Sequence, residues 1–115
     1  MTVPPDRTAY TWLLLAADGG VLAELEIRDT DQPWYHCHFR PQPRFAFVAR
    51  LFEQELQILE ADRPFDSEAW EAAYERIRAL QLRMQPPSGG PRTRKFVLHV
   101  DGDHAWFRVP LASKG

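Results

Sequence analysis

Trp34-Tyr35-His36-Cys37-His38-Phe39-Arg40 gathers two imidazoles, a thiol, an indole and a guanidinium within seven residues. Imidazoles carry protons and ligate metals near neutral pH, thiolates attack or ligate, and a guanidinium holds oxyanions. What these groups can do together depends on the backbone beneath them. In an extended strand successive side chains alternate between faces. Trp34, His36, His38 and Arg40 then share one side, and Tyr35, Cys37 and Phe39 the other.

Two imidazoles at i and i+2 of a strand lie about 6–7 Å apart. A third ligand from a neighbouring strand, His99 or Glu26, would complete an open zinc-type site. A cupin-like pattern needs a Glu a few residues after the second His. Here that stretch reads Arg40-Pro41-Gln42-Pro43 and holds none. Cys37 points away from both flanking histidines, so neither can deprotonate it, and Tyr35 and Phe39 mark it for burial.

Other chemistry finds less support. Asp29, Asp31, Asp101 and Asp103 sit in turn contexts that explain them locally. His104, beside Asp103, reads as a hairpin residue. Ser88-Gly89-Gly90 lacks the helix and lysine of a phosphate loop, and no Ser occupies a nucleophile elbow. Trp, His and Arg on a sheet can stack bases and hold phosphate. Against nucleic acid stand a net charge of −2, Glu24 and Glu26 on the same face, and the lack of a ribonucleoprotein signature.

Two functions remain. The first is a small non-enzymatic protein-interaction or regulatory domain, a homodimer or a binder of another protein. Its binding residues would be Trp34, His36, His38, Arg40, His99, Trp106 and Arg108, since Trp and Arg dominate interface energetics. It calls for no cofactor. The alternative is a metal-dependent enzyme or small-ligand-binding domain using His36, His38 and His99.

These residues must be positioned by the elements around them. Thr8 to Ala17 is apolar and rich in β-formers, Asp18-Gly19-Gly20 is a turn, and Val21 to Arg28 alternates from Ala23 onward, which together predict a hairpin. Ala23, Leu25 and Ile27 face the core, and Glu24, Glu26 and Arg28 face away. The polar cluster Asp29 to Pro33 predicts a turn before the Trp34–Phe39 strand, which completes a three-stranded meander.

Pro43 suits the first turn of a helix. Phe45, Val48, Phe52, Leu56 and Leu59 then recur at helical spacing over residues 44–60, flanked by Leu51 and Glu55, and the Phe residues of this helix are expected in the core. Asp66 or Ser67 caps a second helix whose stripe is Trp70, Ala73, Tyr74, Ile77 and Leu80. Alternation of Leu80, Leu82 and Met84 predicts a strand beginning near Leu80. Pro86 to Pro91 is a loop. Arg94 to Val100 and His104 to Pro110 form a last hairpin around Asp101-Gly102-Asp103. Phe107 and Val109 point to the core, leaving Trp106 and Arg108 outside with His99. Trp12 and Trp70 are expected in the core.

The order βββ-αα-βββ predicts an α+β fold, a mostly antiparallel sheet with two helices packed on one face. Helices on one face leave the other partly wet. The 115 residues make one domain, 1–115, with loose termini at 1–8 and 111–115. At 44% hydrophobic the chain can bury a core without staples. Its single cysteine forms no intrachain disulfide, and neither a signal pattern nor a membrane-length apolar run is present, which predicts a soluble cytoplasmic protein. Arg outnumbers Lys twelve to two, a bias that suggests a GC-rich bacterial genome.

Overall fold

β3 (Trp34–Pro41) joins the two halves of the chain. On one side it pairs with β2 (Val21–Asp31), on the other with β6 (His104–Arg108), both antiparallel. β1 (Thr11–Leu15) extends the first half and β5 (Val97–Asp101) the second. With the short β4 (Arg83–Gln85) they make one six-stranded sheet in the order β4-β1-β2-β3-β6-β5, curled into a half-barrel. The computed structural model describes residues 10–61, 64–87 and 89–109. The expected loose termini lie outside the described residues. The α+β class and the βββ-αα-βββ order hold.

β2 runs three residues past the point at which its composition predicts a turn. Asp29, Thr30 and Asp31 stay in register with His36, Tyr35 and Trp34 after a bulge between Ile27 and Asp29. Aspartate is a poor strand former, but a partner strand that satisfies its backbone outweighs that preference. The final hairpin turns as expected at Asp101-Gly102-Asp103. Gly102 has φ +62°, a conformation that L side chains adopt at a cost.

The inner face of the sheet is the core. Leu14, Leu25, Cys37, Phe39, Leu98, Ala105 and Phe107 are all buried there. The helical pair α1 (Ala49–Leu59) and α2 (Ser67–Arg78) adds Phe52, Tyr74 and Ile77 to the same cluster. Trp12 and Trp70 are only half-buried, packed against that cluster. Asp66 caps α2, its side chain accepting from the Ala69 amide at 3.0 Å.

The helix predicted over 44–60 divides in two. Pro43–Phe47 is a 3-10 turn and the α-helix begins at Ala49. The tighter winding keeps Phe45 on the core side, its ring 4.9 Å from Phe39 and 5.7 Å from Phe52. Phe47, two residues after Phe45, falls across the helix from that stripe, so it is 87% exposed rather than in the core.

The strand predicted near Leu80 starts later. Leu80 and Gln81 lie in a turn, with Gln81 at φ +55°, and β4 holds three residues only. The sheet edge at β5 is sealed from α2. The buried Tyr74 hydroxyl accepts from the Leu98 amide at 2.8 Å and donates to the Phe96 carbonyl at 3.3 Å. Burial drives its pKa upward. An edge satisfied this way offers little for a further strand to pair with.

Candidate functional site

Register fixes the site. His36 lies opposite Trp106, and Trp106 opposite His99 on its other side. The buried pairs Cys37–Ala105 and Leu98–Phe107 occupy the alternate positions. Pleat parity therefore puts His36, Trp106 and His99 on the outward side of three adjacent strands.

Their rings meet. His36 stacks with His104 at 5.5 Å between centroids, and His104 with Trp106 at 5.4 Å. Trp106 lies 5.2 Å from His99, and His99 5.5 Å from Trp34. The Arg108 guanidinium sits 5.3 Å over the Trp34 ring. These are the spacings of aromatic and cation–π contact, so the array is continuous across the β3, β6 and β5 strands. Arg40 is tethered at its side, 3.2 Å from Glu26, whose carboxylate also lies 3.6 Å from Arg28.

His99 differs from the open position that sequence assigns it. It is 4% exposed. Its Nδ1 approaches Oε2 of Glu55 to 2.8 Å, without the alignment of a full hydrogen bond. The Trp70 indole N–H donates to that same oxygen, and Glu55 Oε1 has no hydrogen-bond partner. Glu55 itself is 0% exposed. The cause is helix placement: α1 packs against the edge strand β5 and carries its carboxylate over the strand's outward residue. The outward face is thus closed at His99.

A metal does not follow from this arrangement. Among the described residues no group of three or more His, Cys, Asp or Glu could hold an ion. The proposed set His36, His38 and His99 is not assembled, because the Trp106 strand stands between His36 and a His99 turned to Glu55. His36 and His38 instead line a shallow hollow of about 290 Å³ with Arg28, Asp103 and His104. Cys37 lies beneath them, buried as expected. Desolvation pushes its thiol up to about 12, leaving it protonated and inert at neutral pH.

Three functional neighbours escaped sequence analysis as parts of the site. His104 shares strand parity with Trp106, which was a usable signal. Glu55 sits three residues after Phe52 and four before Leu59, on the apolar spacing itself, and an acid there signals a buried partner. Trp70 carried no polar signal, since an indole on a helical stripe reads as core. Comparison with protein-family models, with curated proteins and with solved structures finds no match to this chain.

Proposed function

We propose that the chain is a small non-enzymatic interaction domain whose outward sheet face binds another protein surface, either a partner's or a second copy's. Trp34, His36, His38, Arg40, Trp106 and Arg108 are the contact residues. His104 joins them, and His99 supports the array from behind. The observation that carries this reading is the continuous ring array across β3, β6 and β5, most of which remains half-exposed. Tryptophan and arginine with pre-set rotamers lose little entropy on docking, and they anchor most interfaces.

Charge narrows the partner. Glu26 is engaged by Arg28 and Arg40, whereas Arg108 at the opposite end has no carboxylate within salt-bridge distance among the described residues. The complementary surface is then apolar with an acidic margin. No helix among the described residues is long and apolar enough to cross a membrane. A lone buried thiol suits a reducing compartment, and the proposal places the domain in the cytoplasm.

A photo-crosslinking amino acid at His104 tests the reading in cells that make the protein. The expected result is one discrete protein adduct, lost on Trp106→Ala while the circular dichroism spectrum is kept. No adduct, or the same adduct from the probe placed at Glu53 on the outer side of α1, contradicts it.

A further inference from the structure

The cations of this protein are unevenly partnered. Arg28, Arg40, Arg44 and Arg78 each reach a carboxylate. Seven other described cations reach none, although the chain as a whole is slightly acidic; Arg50, Arg76, Arg83 and Arg92 are spread over the surface, whereas Arg94, Lys95 and Arg108 converge. These three line one cleft of about 590 Å³, together with Arg78. Arg94 and Lys95 lie just before β5, Arg108 ends β6 opposite Val97, and Arg78 ends α2. The cleft therefore opens at the end of the β5–β6 hairpin that is remote from its Asp-Gly turn.

Like charges drawn into one concavity repel unless something neutralises them. No carboxylate lines this cleft, and its remaining walls are apolar, with Phe96, Val97 and Val109 among them. A basic rim on an apolar floor, at this size, has the make-up of a small-molecule site. Arginine forks hold oxyanions in bidentate fashion, and several unpaired cations call for more than one negative charge.

We propose that this cleft binds a multiply charged oxyanion carried on an apolar or aromatic body, of the class of an aryl or nucleoside phosphate. The oxyanion meets Arg94, Lys95 and Arg108, and the body lies on Phe96 and Val97. The site stands apart from the protein-contact face and shares only Arg108 with it. Arg108 also supplies a reporter, because its guanidinium lies over the Trp34 ring at the margin of the cleft.

Phenyl phosphate, ADP, citrate and inorganic phosphate are titrated into the full chain, with tryptophan emission and calorimetric heat as readouts. Phenyl phosphate or ADP is expected to saturate one site and to bind about tenfold more tightly than inorganic phosphate. The Arg94→Gln/Lys95→Gln variant, altered only at exposed and unpartnered side chains, should weaken that binding about tenfold or more, the change that losing charge-assisted hydrogen bonds gives. Raised salt should weaken it as well. Tight citrate binding with weak phosphate esters would overturn the phosphate class. Failure of every probe to saturate, or binding that the double variant leaves unchanged, would overturn the site. Neither result bears on the crosslinking at His104.

Discussion

His36 and His99 flank the same indole on the same side of one sheet, yet they are put to opposite uses. His36 stacks on His104 in a half-open hollow. His99 lies under Trp34 and Trp106 with its Nδ1 against a carboxylate that has no exposed surface. What separates them is not the strand pattern, which treats them alike, but the helix that packs on the edge of β5. A residue's face is set by pleat parity; whether that face is wet is set by what the rest of the chain lays over it.

The sharpest way to break this comparison is to remove the closing group. Glu55→Ala strands the Trp70 N–H and leaves His99 without its carboxylate, so a loss of about 3 kcal/mol is expected from urea unfolding. His36→Ala, on the open side, should stay within about 0.5 kcal/mol of the parent. Equal effects from the two variants would erase the distinction. Tyr74→Phe comes next. It removes the hydroxyl that serves both Leu98 and Phe96 at the β5 edge, and about 1–2 kcal/mol should be lost, with faster amide exchange at Leu98.

The smallest effect belongs to the far rim. The Arg44 guanidinium, 2.9 Å away, holds the Asp18 carboxyl below its ordinary value, with help from the Gly20 amide. A lowered folded pKa gives stability that is complete above the unfolded value of 3.8 and is lost as pH falls through the lower folded value. Asp18→Asn should therefore lower stability slightly at neutral pH, leave it unchanged at the acid end where the parent's carboxyl is protonated, and so flatten the acid limb of the stability curve. Gly20→Ala gives a second probe of the same pair. A Cβ there would fall 1.8 Å from Arg44 Nη1, so the guanidinium must move off Asp18.

The sheet was legible because its strands carry period-two alternation and its turns carry glycine at defined places. Trp34 to Arg40 sorted correctly into two faces from spacing alone. Three features were not legible. The extension of β2 through Asp31 depends on a partner strand, which outweighs local propensity. The split of the helix predicted over 44–60 into a 3-10 start and an α-helix from Ala49 is not announced by the helical spacing of Phe45 and Phe52. The closure over His99 depends on where α1 docks, and the acid at position 55 was its only trace in the chain.

Carbethoxylation of the native protein, read histidine by histidine by mass spectrometry, tests the division of the face most directly. His36, half-exposed, and His104, exposed, should modify readily. His99 should modify only on the slower timescale of local opening. Reaction of His99 as fast as His36 would mean that α1 does not close over β5, and the separation of a structural from an open half of this surface would be wrong.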